Sequence, residues 1–214
     1  MTDTYSSPLA ARYASRAMLE LWSPQKRHRL WRQLWIALAE AQRELGVDIP
    51  VEAITEMRNA ADSIDFDAAA RYEQRFRHDV MAHVHTFADA APAARRFIHL
   101  GATSAFVTDN ADIILMRRAL ELLRGRVVHA LAALADFAER WKDEPTLGYT
   151  HIQPAQLTTV GKRATLWMQD LVLDVHDLDY RVASLPLRGV KGTTGTQASF
   201  LRIFGGDHAR VREL

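Results

Sequence analysis

Apolar residues recur every three or four positions along most of the chain, the spacing that places them on one face of an α-helix. The clearest run begins at Ser23 and Pro24, a capping serine followed by a proline suited to the first helical position, and ends at Gly46. Residues 1–22 have no sustained pattern and predict an irregular arm with local helical turns. Three shorter helices are predicted within residues 48–62, 65–76 and 78–92.

Two much longer helices are predicted in the second half of the chain. Residues 109–143 are nearly free of Gly and Pro, and a helix of this length would extend roughly 50 Å. After the connector LGYTHIQPAQLTT at 147–159, residues 155–184 predict a second long helix, antiparallel to the first. No strand alternation is evident. The sequence therefore predicts an all-α fold, with a small N-terminal helical domain at 1–108 and, at 109–214, the first long antiparallel helices of an elongated bundle.

The composition is that of an ordinary globular protein of 214 residues, with 48% hydrophobic and 25% charged residues. A net charge of +1 gives no electrostatic case for binding nucleic acid or an anionic membrane surface. The absence of cysteine excludes disulfides, thiol catalysis and thiolate metal ligands. The first residues do not have the pattern of a secretory signal, and no apolar run has the length of a bilayer span, so a cytoplasmic protein is expected.

Four stretches carry polar side chains that a helical bundle does not need. Two of them, GATS at 101–104 and YTHIQPAQ at 149–156, are expected beside helix N-termini, where free N–H groups and the helix dipole favour bound anions. The candidate functional residues in the four stretches are Arg12, Tyr13, Arg77, His78, Asp79, Thr103, Ser104, Thr150 and His151.

Each candidate also has a structural interpretation. A single histidine on a helix is more often a hydrogen-bonded structural residue than a catalyst, and Thr or Ser before a helix is usually a cap. A metal site at His78, His83 and His85 is not favoured, because their spacings of five and two residues do not match an i, i+4 pair on one helix face. Arginines, helix starts and histidines together suit acid–base chemistry on a small anionic metabolite.

The motifs resemble those of a known enzyme family. GATSAFVTDN at 101–110 and GYTHIQPAQLTT at 148–159 look like the first two conserved regions of the fumarase/aspartase superfamily. Further motifs across essentially the whole chain resemble the animal-type branch of the adenylosuccinate lyase family. These are SPLAARYAS at 7–15, LWRQLWIALAEAQ at 30–42, RHDVMAHVHTF at 77–87, IHLGATS at 98–104 and LRGVKGTTGTQASFL at 187–201.

This resemblance implies an incomplete fumarase/aspartase-type fold and a homotetramer whose active sites are shared between subunits. It implies a lyase of purine and AMP biosynthesis that cleaves adenylosuccinate to AMP and fumarate, and the succinylated aminoimidazole carboxamide ribotide to its carboxamide and fumarate. Both reactions are β-eliminations without a metal or organic cofactor. The implied partner is a small nucleotide substrate, with no nucleic acid and no membrane.

The resemblance also implies roles for the residues at the matching positions. His151 would be the general acid that protonates the departing nitrogen, and Thr150 would shape the site beside it. Thr103 and Ser104 would hydrogen-bond a succinyl carboxylate.

The remaining matched residues would hold the nucleotide. Arg12 would face the phosphate, with Tyr13 next to it. His78, together with Arg77 and Asp79, would contact the nucleotide and help to orient the acid.

The chain departs from the family in length and in one motif. Family members are much longer, and their third conserved region, which carries the serine taken to be the carbon base, has no match up to Leu214. The last helix, predicted from near Asp207, has no stop signal. We therefore expect an N-terminal half that is catalytically incomplete by itself. Lys191, Thr193 and Thr194 form a conspicuous Gly/Thr-rich loop to which no role is assigned.

Two other functions stay open at this point. One is a different lyase of the same superfamily, such as an argininosuccinate-type enzyme. The other is a catalytically silent helical scaffold. Conversion of adenylosuccinate by the full-length protein would distinguish an adenylosuccinate lyase from both of these alternatives.

Overall fold

The computed structural model describes residues 7–214, and helices form most of this part of the chain. The predicted all-α class is confirmed. None of the described helices combines the length and the apolar character needed to cross a membrane. The α-helices are α1 (Arg16–Leu21), α2 (Pro24–Glu44), α3 (Val51–Ala60), α4 (Phe66–Phe76), α5 (Asp79–Ala90), α6 (Ser104–Arg140), α7 (Val160–Ser184), α8 (Ala198–Ile203) and α9 (His208–Glu213). The chain also forms a π-helical turn at Leu9–Tyr13 and a 3-10 turn at Pro92–Ala94.

The connector between the two long helices is a β-hairpin, so the expectation of a chain without strands was wrong. Strands β1 (Pro145–Thr150) and β2 (Gln153–Thr159) pair antiparallel and form a two-stranded sheet. The second long helix therefore begins at Val160 and not near residue 155. Pro154, which was expected to open that helix, lies in β2, where a two-stranded sheet leaves an edge that tolerates proline.

The chain forms two compact units. One unit comprises the described residues up to Leu115 together with Pro186–Leu214, and the other comprises Met116–Leu185. The domain division predicted after residue 108 stays a prediction.

The core of the first unit surrounds α2. Ser23 caps this helix by accepting a hydrogen bond from the N–H of Lys26 at 3.3 Å, and Pro24 occupies the first turn, as the sequence predicts. The rings of Trp35 and Phe87 are almost completely buried and stack with 6.1 Å between their centroids. The C-terminal helices α8 and α9 also contribute to this core, through Phe200, Phe204 and Val211.

The second unit contains most of α6, the hairpin and α7. Arg124 of α6 forms an ion pair with Asp179 near the end of α7. At the opposite end, Gly161 in the first turn of α7 lies against Ala138 near the end of α6. These two contacts require helices that run in opposite directions, which confirms the predicted antiparallel arrangement.

The first turn of α7 approaches α6 so closely that no side chain fits between them. The N–H of Gly161 donates to the carbonyl oxygen of Trp141 at 2.8 Å. A Cβ atom on Gly161 would collide with the carbonyl oxygen of Ala138 and would lie 2.7 Å from the backbone nitrogen of Lys142. Backbone atoms inside a helix cannot move aside as a flexible side chain can, so this position requires glycine.

Gly161→Ala is therefore expected to lower the free energy of unfolding by about 1–3 kcal/mol, the range typical of overpacking. Gly125→Ala is the matched control, because Gly125 also lies inside a helix but a Cβ atom there meets nothing within 4 Å. The control should be neutral or stabilising by up to about 1 kcal/mol, since alanine favours helix. Denaturant unfolding followed by circular dichroism measures both, and equal effects would contradict the close approach.

Candidate functional site

His78 lies at the junction between α4 and α5, where the chain turns without a glycine. Arg77 adopts the left-handed conformation, with φ of 55°, and His78 is extended, with φ of −152°. His78 is the N-cap of α5, and its Nδ1 accepts a hydrogen bond from the N–H of Met81 at 3.4 Å. The left-handed conformation is uncommon for arginine. Both Arg77 and His78 are exposed to solvent.

Ser104, the first residue of α6, meets His78. The Oγ of Ser104 lies 3.2 Å from Nε2 of His78, so two candidate residues 26 positions apart come together. While Nδ1 accepts from Met81, a neutral ring has its proton on Nε2 and donates it to Ser104. Oδ1 of Asp79 lies 3.3 Å from Nδ1, which gives a protonated ring an ionic partner.

A cleft of about 320 Å³ opens beside Asp79. The buried Nε1 of Trp31, one of its lining residues, has no hydrogen-bond partner among residues 7–214. Aromatic faces combined with a few polar groups are suited to a flat ligand that carries donors and acceptors. Only Asp79 of this group was a candidate from the sequence. The cleft is lined by Trp22, Pro24, Arg27, His28, Trp31, Asp79, Thr108 and Asp112.

A second, smaller cleft of about 170 Å³ lies beside Thr103. The Gly-rich loop that contains Lys191, a residue to which no role was assigned from the sequence, forms part of its lining. Its walls consist of Thr103, Ala105, Phe106, Asp109, Arg188, Gly189, Lys191, Gly192 and Gly195.

Asn110 connects the Gly-rich loop to α6, and sequence reasoning missed it. Its side chain is 2% exposed. Its Oδ1 accepts hydrogen bonds from the N–H groups of Arg188 at 2.8 Å and Gly189 at 3.2 Å. Its Nδ2 donates to the carbonyl oxygens of Phe106 and Gly189. The only local signal was a polar residue on the apolar face of a predicted helix.

Arg12 and Tyr13 lie in the π-helical turn at Leu9–Tyr13, and both side chains are exposed, Tyr13 by 76%. Within residues 7–214, no hydrogen bond or ion pair holds either side chain. The structure thus brings Ser104 to His78, but it does not bring Arg12 or Tyr13 into contact with them.

His151 lies at the tip of the β-hairpin in the second unit. Thr150 and Gln153 form the last pair of the ladder, and His151 and Ile152 form the two-residue turn between them. The expectation that His151 lies at a helix N-terminus was wrong, because α7 begins at Val160 and Thr159 caps it through Lys162. The helix dipole therefore gives no support to an anion at His151.

The turn at His151 adopts an unfavourable backbone conformation. His151 has φ of 51° and Ile152 has φ of 64°. Two-residue hairpin turns of this kind favour Asn-Gly, and positive φ in a β-branched residue is a true outlier. Ile152 is also 100% exposed, so no packing against residues 7–214 compensates for the strain. Strain of this sort is concentrated at functional sites, which makes the hairpin tip a stronger candidate than its sequence position alone.

Comparison with known protein families gives a match over most of the chain: the family described as Lyase matches residues 6–201. The chain belongs to the lyase family. Adenylosuccinate lyase of Schizosaccharomyces pombe is 54% identical over 99% of this chain and 44% of that protein. The adenylosuccinate lyase of Saccharomyces cerevisiae is 51% identical over 99% and 45%. The chain spans less than half the length of these curated relatives.

A solved lyase structure has a similar fold. The fumarate lyase from Mesorhizobium sp. BNC1 matches with a TM-score of 0.81 and 27% sequence identity, over 98% of this chain and 48% of that one. The fold of this chain is therefore shared with a solved lyase.

The histidines of this lyase-family chain occupy different environments. His83 is 7% exposed and stacks on His28 at 3.8 Å between ring centroids. His85 instead stacks on Phe76 at 4.6 Å. His78 lies beside Ser104, so the side chains of His78, His83 and His85 have three different partners and do not come together. Among residues 7–214, no group of three or more His, Asp or Glu side chains is arranged to hold a metal ion.

Burial keeps His83 neutral. Burial, together with the nearby His28 and Arg32, lowers the pKa of His83 from 6.5 to about 4, while Asp79 acts in the opposite direction. Between these two pH values the unfolded chain binds a proton at this residue that the folded chain does not. Stability contributed by neutral His83 is therefore lost as the pH falls from 6.5 towards 4.

Lowering the pH from 7 to 5 is expected to reduce the free energy of unfolding by about 2 kcal/mol through His83 alone. His83→Phe keeps an aromatic ring but removes the titrating group, so this part of the pH dependence should disappear. Urea unfolding at the two pH values measures it. His129→Ala, which removes an exposed histidine, is the control, and an identical pH dependence in wild type and His83→Phe would refute the assignment.

Ile152→Gly is expected to stabilise the hairpin by about 1 kcal/mol, because relief of the positive φ exceeds the entropy that glycine loses on folding. Leu157→Gly is the matched control: Leu157 lies within β2 and is also exposed, at 77%, but a glycine there weakens the strand. Amide hydrogen exchange in β1 and β2 should slow in the first variant and accelerate in the second. Faster exchange in Ile152→Gly would argue against strain at the tip.

Proposed function

We propose that this chain is the N-terminal part of an adenylosuccinate lyase. The observation that carries the proposal is the 54% identity with the Schizosaccharomyces pombe adenylosuccinate lyase over 99% of the chain. Because the chain covers 44% of that relative, the activity is proposed for a longer protein that contains these residues. The reaction belongs to purine biosynthesis, and a cytoplasmic location stays a prediction.

The proposed reaction is a β-elimination in two proton transfers. A base removes a proton from the carbon next to a succinyl carboxylate, which leaves a carbanion stabilised by that carboxylate. The bond between the neighbouring carbon and nitrogen then breaks, fumarate forms, and an acid protonates the departing nitrogen. His151 is the proposed acid, with Thr150 beside it. The base is expected outside the sequence up to Leu214. The second proposed substrate, the succinylated aminoimidazole carboxamide ribotide, undergoes the same steps.

The contact between His78 and Ser104 supports the proposed binding roles. Its 3.2 Å separation joins a residue proposed to contact the nucleotide to one proposed to bind a succinyl carboxylate. Asp79 is one of the residues that line the cleft next to Trp31, and the size of this cleft, about 320 Å³, suits part of a nucleotide. The hydroxyl groups of Thr103 and Ser104 can donate to a carboxylate, and such charge-assisted hydrogen bonds are the stronger ones.

The exposure of the remaining candidates supports a site completed by a second subunit. Arg12, Tyr13 and Arg77 are exposed, and His151 lies on a strained and solvent-exposed turn. Side chains proposed to hold a phosphate and to donate a proton would be expected to have partners in the assembled enzyme. A homotetramer with shared active sites accounts for this pattern. Arg12 would face the phosphate and Tyr13 would lie beside the nucleotide.

One observation favours a second candidate within the same family. The similarity to the fumarate lyase from Mesorhizobium sp. BNC1 extends over 98% of the chain. It is compatible with elimination of fumarate from a different compound, such as argininosuccinate. The 51–54% identity with the two yeast adenylosuccinate lyases favours the purine substrate.

The full-length protein is expected to convert adenylosuccinate to AMP and fumarate, measured as the change in purine absorbance. His151→Ala should lower kcat by about 100-fold to 10,000-fold, the usual contribution of a general acid, with substrate binding retained. His129→Ala, an exposed histidine on α6, is the control and should retain full turnover.

Three results would go against the proposal. Normal turnover by His151→Ala would remove the acid assignment. Cleavage of argininosuccinate, with no cleavage of adenylosuccinate, would support the second candidate function. The absence of any lyase activity would favour a scaffold. Residues 1–214 expressed alone should be inactive, since the base is expected elsewhere.

A further inference from the structure

The Gly-rich loop at 188–197 has a fixed backbone around Lys191. Asn110 anchors its beginning, as described above. At its end, the N–H of Gln197 donates to the carbonyl oxygen of Lys191 at 2.8 Å, and Nε2 of Gln197 donates to the carbonyl oxygen of Val190 at 3.1 Å. The backbone on both sides of Lys191 is therefore restrained, although the Lys191 side chain itself is exposed.

The same loop is attached to the segment that carries Thr103. Oγ of Ser199 donates to the carbonyl oxygen of Gly101 at 2.6 Å. Gly101 has φ of 76°, and a Cβ atom there would lie 2.6 Å from Cδ1 of Ile203 in α8. This close packing holds the residues after the loop against the residues just before α6. Lys191 and Thr103 consequently line one cleft.

The charges in this cleft do not cancel. Arg188 lies opposite Asp109, with 4.0 Å between Nε and the nearer carboxylate oxygen. Lys191, the other cation that lines the cleft, forms no ion pair with any residue from 7 to 214. The charged side chains that line the cleft thus leave one positive charge unbalanced, and Thr103 contributes a hydroxyl group to the same lining. An anion bound there would have both an ionic partner and a hydrogen-bond donor.

We propose that Lys191 is a further substrate-binding residue, whose ammonium group pairs with a carboxylate of the four-carbon dicarboxylate part of the substrate. The proposal rests on the proposed function, in which Thr103 and Ser104 bind this part. Size supports a dicarboxylate: about 170 Å³ is well below the roughly 300 Å³ at which clefts begin to hold larger ligands, whereas the cleft beside Asp79 reaches about 320 Å³. The phosphate of the nucleotide is the alternative partner, and the test separates the two.

The experiment measures binding of fumarate and of AMP to the full-length protein by calorimetry, together with KM for adenylosuccinate. Lys191→Met should weaken fumarate binding about tenfold or more and raise KM to a similar extent, while AMP binding is unchanged. Lys191→Arg should restore most of the fumarate affinity, because it keeps the charge. Lys142→Met, which changes a surface lysine just after α6, is the control and should behave as wild type.

Thermal unfolding of each variant separates lost binding from lost structure, and the exposed Lys191 position is expected to tolerate all of these changes. Unchanged fumarate affinity in Lys191→Met would overturn the proposal, as would loss of AMP affinity instead, which would assign Lys191 to the phosphate. A wild-type protein that does not bind fumarate would overturn it too. A protein that binds fumarate through Lys191 but does not cleave adenylosuccinate would refute only the proposed function.

Discussion

Asn110 is almost completely buried, and its amide forms hydrogen bonds with Phe106, Arg188 and Gly189. A buried amide that loses its partners destabilises a fold by about 1–3 kcal/mol, so the native state retains this contact. It joins the second turn of α6 to the residues that follow α7. The C-terminal helices can therefore add Phe200 to the core of the first unit, and both clefts depend on the position of α6 that results.

Burial keeps two histidines near the candidate site neutral. Burial lowers the pKa of His99 to about 4, so its Nδ1 can accept the hydrogen bond from Nε1 of Trp35 at 2.9 Å. His83 is kept neutral for the same reason and stacks on His28. The buried Arg32 places a cation beside them, and exposed candidates such as His78 lie at the surface.

Local signals in the sequence were sufficient for α2 but not for the hairpin. Ser23, Pro24 and Gly46 bound α2 correctly, because caps and helix breakers act on their immediate neighbours. The hairpin was missed because Pro154 favours a helix start and because His151 and Ile152 are not the residues that a tight turn prefers. The bonds from Asn110 to the Gly-rich loop join residues 79 positions apart, a separation that no periodicity encodes. The proposed role of His151 came from resemblance to a family and not from its local pattern.

The closed base of the hairpin constrains how this segment can change in length. The N–H of Val160 donates to the carbonyl oxygen of Glu144 at 2.9 Å, which joins the two ends, while the register already contains an irregularity between Leu147 and Tyr149. Successive residues in a strand point to opposite faces, so one inserted or deleted residue would turn the rest of that strand over. Homologous chains that keep this fold should therefore vary here by pairs of residues, one in each strand, or not at all.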